Sequence, residues 1–147
     1  MPLPQQKFRE AVFQILYSQD FAVGSEEDII ALMMKELQAT RKAMGEAYAR
    51  VQAVMAHLEE IDGQIAFAST EYSFDRISRV EKTILRLGLF EILFDENIHA
   101  KVAIAEAVRL CRKFGTPESS QFVNAILDAV FKNGTENAPI TAEPQLI

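Results

Sequence analysis

Three clusters of charged and aromatic side chains are the parts of this sequence whose residue types could bind a ligand. In the first cluster Arg9, Phe13 and Tyr17 recur at every fourth residue, so a helix would carry a cation and two aromatic rings on one face. Aromatic rings can stack on unpaired bases and an arginine can pair with a phosphate. The periodicity alone favours the alternative, in which Phe13 and Tyr17 pack beneath a neighbouring helix.

The second cluster consists of Arg76, Arg79, Lys82 and Arg86. The last three share one face of a predicted helix that is apolar over most of its surface, which is typical of a central helix. The pattern favours a solvated strip on an otherwise buried helix, and the alternative is a binding surface.

The third cluster surrounds a sharp corner between two predicted helices, in the segment RKFGTPESSQFVNAILDAV. We expect Gly115 to end the first helix in the left-handed conformation, and Thr116 and Pro117 to begin the next as its N-cap and first residue. A helix start presents unpaired N–H groups and a positive dipole end, which can accept a phosphate or a partner's carboxylate. Glu118 lies in that turn and would compete with an anion. The pattern alone therefore favours a plain connection.

Catalytic and metal-binding patterns are nearly absent. Neither His57 nor His99 has a second histidine or a cysteine at metal-ligand spacing. Cys111 falls on the apolar stripe of its predicted helix, which indicates a small core residue rather than a nucleophile. No phosphate-binding loop, dinucleotide fingerprint or nucleophile elbow occurs. We therefore predict a protein that is not an enzyme and binds no metal or cofactor.

Composition bounds the remaining possibilities. The 147 residues carry a net charge of −6, which argues against binding nucleic acid by bulk charge but does not exclude a local basic patch. The single cysteine cannot form an intrachain disulfide, which is typical of a cytoplasmic protein. The N-terminus MPLPQQKFRE has no apolar signal region, and no apolar run approaches the ~20 residues of a membrane span.

Helical periodicity dominates the chain and predicts an all-α fold of about six or seven helices. We expect one domain over residues 1–134 and a flexible tail over residues 135–147. The first predicted helix ends near Gln19. The second begins after an N-cap at Ser25 and has a buried stripe of Ile29, Leu32, Met33 and Leu37. The third runs from Arg41 to Glu60, and Asp62-Gly63 breaks the chain after it. A shorter helical piece follows near Ile65, and the remaining helices run from Ser78 to Phe94, from Lys101 to Phe114 and from Pro117 to Asn133.

Three segments match, in order and spacing, a family of known proteins. They are KFREAVFQILYSQDF, then RVEKTILRLGLFEILF and KVAIAEAVRLCRKFGTPESSQFVNAILDAV. They resemble the NusB family of bacterial transcription antitermination factors over roughly residues 7–20 and 75–131. The resemblance implies a helical fold of two small subbundles and a role without catalysis. It also implies that the protein pairs with the ribosomal protein NusE, binds boxA-type RNA and joins the antitermination complex on RNA polymerase, which supports ribosomal RNA transcription.

The resemblance also implies two sets of contact residues. Glu81 matches a family position used to bind NusE. The expected NusE-binding residues are Arg76, Arg79, Glu81, Lys82 and Glu118. The expected RNA-binding residues are Lys7, Arg9, Tyr17, Lys101, Phe114, Ser120, Gln121 and Phe122.

The chain departs from the family pattern in ways that remove RNA contacts. Its N-terminus has only Lys7 and Arg9 where the family has an arginine-rich stretch, and Ser120 and Gln121 stand where basic residues are common. If about three phosphate contacts remain, a plot of the logarithm of the RNA-binding constant against the logarithm of the salt concentration would have a slope of only about −2. We therefore expect weak RNA binding by the isolated protein and stronger binding with NusE.

Two other functions fit parts of the pattern. The chain could be a helical adaptor that binds proteins and has lost RNA binding, which the acidic composition and the thinned basic segment favour. Some RNA cytosine methyltransferases carry a NusB-like domain at their N-terminus, but a chain that stops shortly after Gly134 has no room for a methyl-donor fold. A homodimer through exposed apolar surface is also possible.

Overall fold

The chain forms seven α-helices and no β-strand in the residues that the computed structural model describes, which are 3–21, 24–70 and 72–141, with side chains described as far as residue 133. This confirms the predicted all-α fold. The helices are α1 Gln5–Ser18, α2 Glu26–Leu37, α3 Arg41–Ala56, α4 Leu58–Ala68, α5 Arg79–Phe94, α6 Ala100–Phe114 and α7 Pro117–Thr141. They fall into two compact units that divide between Leu58 and Glu59, in agreement with the two expected subbundles.

The first unit packs α1, α2 and α3 against one another. The predicted N-cap is confirmed, because the Ser25 hydroxyl accepts a hydrogen bond from Asp28 N and the Asp28 carboxylate accepts one from Ser25 N, both at 3.2 Å. Gly24 precedes this cap with a φ of +83°, a conformation that glycine adopts without strain. The buried apolar side chains of this unit are Ala11, Val12, Phe13, Ile15, Leu16, Ile29, Ile30, Met33, Met44, Ala47, Val51 and Val54.

The second unit is organised around α5, which packs against both α6 and α7. Leu85 and Leu89 are fully buried, so α5 is the central helix that its apolar composition predicts. A Cβ atom on Gly88 would lie 3.0 Å from Leu127 Cδ1 and 3.7 Å from Ala107 Cβ. The absence of a side chain at Gly88 therefore lets α6 and α7 approach α5 closely.

The prediction of one helix from Arg41 to Glu60 is wrong. Helix α3 ends at Ala56 because His57, with φ −110° and ψ 16°, leaves the helical conformation, and α4 begins at Leu58. Gly63 was expected to break the chain but lies inside α4. A glycine inside a helix costs about 1 kcal/mol. The burial of Ile61 and Ile65 on one face outweighs that cost.

Two further local predictions differ from the structure. Gly115 has φ −118° and ψ −143°, so it does not adopt the left-handed conformation. A glycine is needed there for space instead, because a Cβ atom would lie 3.1 Å from Cys111 O and 3.3 Å from Ser119 Cβ. Leu32 was placed on the buried stripe of α2 but is 56% exposed, because the buried stripe is narrower and consists of Ile29, Ile30 and Met33.

The last helix is longer than the sequence predicted. It was expected to end at Asn133-Gly134, whereas α7 continues to Thr141. Residues 142–147 lie outside the described residues, so the flexible tail stays a prediction.

Candidate functional site

The corner between α6 and α7 is held by a chain of hydrogen bonds. Ser119 N donates to Thr116 Oγ1 at 3.1 Å, as expected if Thr116 is the N-cap of α7. The Ser119 hydroxyl, only 6% exposed as a residue, donates to Glu81 Oε2 at 2.8 Å. Because that bond uses the one proton of Ser119, the Thr116 hydroxyl supplies the proton in the 3.1 Å contact between the two hydroxyls. The corner is therefore a fixed structure tied to α5.

Glu81 also caps the helix in which it lies. Its Oε1 atom accepts a hydrogen bond from Ser78 N, and the Ser78 hydroxyl accepts one from Glu81 N, both at 3.2 Å. This capping box begins α5. One carboxylate thus joins the starts of α5 and α7. Each oxygen keeps one lone pair for another donor, so the half-buried Glu81 can still accept a hydrogen bond from a partner.

The four cations of the second cluster, three of which lie on α5, differ in their contacts and exposure. Arg86 forms a two-point ion pair with Asp62 of α4, with Nε–Oδ1 and Nη2–Oδ2 distances of 2.9 Å, and the side chains are 14% and 24% exposed. This arginine fixes α4 to α5 and has little charge left for a ligand. Lys82 Nζ lies 4.4 Å from the centre of the Phe74 ring, a cation–π contact that limits where its charge can point. Arg76 and Arg79 are exposed.

Aromatic side chains flank the corner. Phe114 and Phe122 are half-buried, and Phe122 contacts the ring of Tyr72 edge-on with 5.4 Å between ring centres. Tyr72 is 48% exposed, so one ring of this pair is open to solvent. Sequence reasoning missed Tyr72. The sequence could have pointed to Tyr72, because it is an aromatic residue in the polar loop STEYSFD, which has no apolar periodicity that would place it in the core.

The polar residues of the corner differ in their access to solvent. Glu118 and Gln121 are exposed in the first turns of α7. The Ser120 Oγ atom is buried and has no hydrogen-bond partner among the described residues. A contact from this hydroxyl to a ligand would require the side chain to rotate outward.

The predicted residues of α1 lie in the first unit and are partly withdrawn from solvent. Phe13 is 4% exposed, so the alternative in which it packs in the protein is confirmed. Arg9 is only 7% exposed, whereas Lys7 is exposed and Tyr17 is half-buried. Three aromatic rings lie next to one another here. The ring centres are 6.0 Å apart for Phe13 and Tyr17 and 5.3 Å apart for Tyr17 and Phe21, and Phe21 is 50% exposed.

Lys101 lies exposed in the first turn of α6. His99 precedes it as the N-cap, because its Nδ1 atom accepts a hydrogen bond from Lys101 N at 3.1 Å. The expected role of His99 is thus structural.

Cys111 is fully buried on the inner face of α6. Burial, and to a smaller extent the Glu81 carboxylate, raises the pKa of its thiol to about 11. A protonated, buried thiol is a poor nucleophile, in agreement with the predicted core role. In the described parts of the chain, no three histidine, cysteine or acidic residues are placed to hold a metal ion. None of the described helices is long and apolar enough to cross a membrane.

Comparison with known proteins decides the family. The model of the NusB family matches residues 6–132. The chain belongs to the NusB family. It is 36% identical over 134 residues to transcription antitermination protein NusB of Chlamydia pneumoniae, covering 91% of this chain and 84% of the relative. It is 39% identical over 124 residues to the NusB of Geobacter sulfurreducens, covering 83% of this chain and 89% of the relative.

Solved NusB structures share the fold. T. maritima NusB superposes with a TM-score of 0.77 at 32% identity, over 90% of this chain and 93% of that one. A chain from a crystal structure of antitermination factors NusB and NusE in complex with dsRNA gives a TM-score of 0.73 at 27% identity, over 87% and 96%. The family assignment therefore rests on both sequence and fold along nearly the whole chain.

Proposed function

We propose that this chain is a transcription antitermination factor. In this role it binds boxA-type RNA together with NusE, joins the antitermination complex on RNA polymerase and supports ribosomal RNA transcription. The observation that carries the proposal is its similarity, over more than four fifths of each chain, to proteins that are named transcription antitermination protein NusB. A related fold has also been solved with NusE and dsRNA.

The RNA contacts in this proposal are cations and aromatic rings, and each of the two units contributes some of them. Lys7 and Lys101 are exposed and pair with phosphates, while Phe114 and Phe122 offer ring faces or edges to unpaired bases. Gln121 is exposed and can donate to or accept from a base edge. The remaining proposed RNA contacts are Arg9, Tyr17 and Ser120, whose polar atoms are less accessible in the free protein.

The NusE surface in this proposal lies around the starts of α5 and α7. Glu81 and Glu118 supply carboxylates, and Arg76, Arg79 and Lys82 supply cations, so the surface carries both signs. Such a surface fits a protein partner with complementary charges better than it fits RNA alone. The fixed Glu81 carboxylate needs little ordering when a partner binds, because its two hydrogen bonds already hold it.

Three features of the proposal follow from the family and the composition. The protein acts by binding and not by catalysis, and NusB proteins are not known as enzymes. It needs no cofactor, and it works in the cytoplasm where transcription takes place. Because the chain has a net charge of −6 and few cations among its proposed RNA contacts, we expect RNA binding to be weak without NusE and stronger with it. A homodimer remains a prediction, which sedimentation at several protein concentrations would test.

A transcription assay tests the proposed function. RNA polymerase is allowed to transcribe a template with a boxA leader and a downstream terminator, with NusE and the other antitermination factors present. Adding this chain should increase transcription past the terminator, and a template with a scrambled boxA should not respond. Equal read-through on both templates would overturn the proposal. NusE binding without any effect on read-through would favour the helical adaptor.

A further inference from the structure

The loop between α4 and α5 holds an aromatic side chain in a fixed position at the surface. Tyr72 is 48% exposed, yet two contacts restrain it. The Ser69 hydroxyl donates to Tyr72 O at 2.6 Å. The Tyr72 ring also meets the Phe122 ring of α7, with 5.4 Å between the ring centres and 69° between the ring planes. Because the ring is already held, little conformational freedom remains to be lost when a partner binds it.

The hydroxyl group of Tyr72 is not used within the described part of the chain, where it makes no hydrogen bond. A tyrosine that is buried in a protein usually bonds this group to a neighbour. A tyrosine that serves an interface presents an apolar ring together with a polar tip. The half-exposed ring and unused hydroxyl of Tyr72 correspond to the second arrangement.

The Tyr72–Phe122 pair is continuous with the proposed NusE surface. Ser119 precedes Phe122 by three residues on α7, so the two side chains are neighbours on that helix. The Ser119 hydroxyl binds Glu81 Oε2 at 2.8 Å, which holds the start of α5 against the same part of α7. The pair therefore lies beside the surface to which Glu81 belongs.

The charges along this part of the chain favour a protein over RNA as the ligand of Tyr72. The loop STEYSFD contains two acidic residues and no cation, and Glu118 is exposed one turn before Phe122 on α7. These carboxylates would repel the phosphates of a strand whose base stacked on Tyr72. Arg76 follows as an exposed cation, so the aromatic pair has charges of both signs beside it. An aromatic contact with a charged rim is usual in protein interfaces.

We propose that Tyr72 anchors NusE. Its exposed ring packs against an apolar side chain of NusE, and its hydroxyl forms a hydrogen bond with a polar group next to that side chain. The inference rests on the proposed function and adds an aromatic anchor to a NusE surface that otherwise consists of charged residues. Tyrosine contributes strongly at protein interfaces because its ring covers a large area at a low cost in conformational entropy.

Binding of NusE without RNA tests the anchor. NusE would be titrated calorimetrically into the full chain and into its variants. Tyr72→Ala should weaken NusE binding by about 30-fold or more, as expected for a residue at the centre of an interface. Phe67→Ala is the matched control, because it removes an aromatic ring of the same unit that is 79% exposed, and it should bind NusE like the wild type.

Two further measurements distinguish a contact with NusE from a structural role of Tyr72. Tyr72→Phe keeps the ring that contacts Phe122 and removes only the hydroxyl, so it should weaken NusE binding by about 2- to 10-fold while unfolding in urea like the wild type. The loss of affinity in Tyr72→Ala should be the same at low and high salt, because salt does not screen a contact between uncharged groups.

The outcomes separate this inference from the proposed function. If both Tyr72 variants bind NusE as tightly as Phe67→Ala does, the anchor is wrong and the proposed function stands. If Tyr72→Ala leaves NusE binding unchanged but weakens RNA binding by the complex with NusE, the ring contacts RNA and the anchor is again wrong. If the wild type does not bind NusE, both fail.

Discussion

The Ser119 hydroxyl donates a 2.8 Å hydrogen bond to Glu81 Oε2, which ties the first turn of α7 to the first turn of α5 across 38 residues of sequence. Glu81 is the expected NusE contact, and the corner that contains Ser119 is an expected RNA contact. A buried hydroxyl thus links the two proposed surfaces.

Replacing Ser119 by alanine should destabilise the protein and weaken NusE binding. A hydrogen bond to a charged group contributes about 1.5–3 kcal/mol, and we expect the free energy of unfolding to fall by that amount. Urea denaturation measures it. Ser73→Ala is the control, because Ser73 is exposed and makes no side-chain capping bond. If Ser119→Ala and Ser73→Ala were equally stable and bound NusE equally well, the link would have no role.

The ion pair of Arg86 with Asp62 should stabilise the protein without affecting the proposed ligands. Arg86→Gln and Asp62→Asn should each lower the free energy of unfolding. A double-mutant cycle should give a coupling of about 1 kcal/mol or more, because both side chains are largely buried and joined at two points. RNA and NusE affinities of the double variant, measured at a temperature where it is folded, should equal those of the wild type. Loss of RNA binding would place Arg86 in the site.

Cys111 should make stability depend on pH in alkaline solution. The folded state raises the pKa of the thiol from 9.0 to about 11, so folding favours the protonated form. The stabilisation is complete below pH 9 and is lost as the pH rises to 11, by about 2 kcal/mol. Urea denaturation of the wild type and Cys111→Ala at pH 8, 9.5 and 11 measures the difference. A constant difference between the two proteins over this range would contradict the assigned pKa.

Two glycines should respond to alanine in opposite directions. Gly88→Ala places a methyl group 3.0 Å from Leu127 Cδ1 and should lower the free energy of unfolding by about 1–3 kcal/mol. Gly63→Ala meets open space inside α4 and should raise it by up to about 1 kcal/mol. Thermal melts of the two variants give the comparison. Equal effects would show that α5 and α7 are not in close contact at Gly88.

Local chemistry of the sequence was sufficient to predict most of the helices and the N-caps at Ser25 and Thr116. The Ser25 cap and the Thr116-Pro117 restart follow from side chains that bond within three residues, so short-range rules find them. The break at His57 was missed because no proline marks it. The glycine at position 63 was a misleading signal, since burial of its neighbours outweighs its low helix propensity.

The site was less predictable because it depends on contacts between distant segments. The bond from Ser119 to Glu81 and the contact of Tyr72 with Phe122 join residues that no periodicity relates. Arg9 has the spacing of a ligand-binding residue but is buried, and Arg86 shares a face with Lys82 but is paired with Asp62. Residue type and spacing predict the segments of the candidate site, whereas the tertiary structure shows which of their charges are paired within the protein.

The most direct test of the central claim is the affinity for boxA-type RNA with and without NusE, measured by fluorescence anisotropy at two salt concentrations. We predict weak binding by the chain alone, and a tighter, salt-sensitive complex once NusE is present. Equal affinity with and without NusE would contradict the joint surface, and NusE binding with no RNA bound under either condition would identify the chain as a protein-binding adaptor.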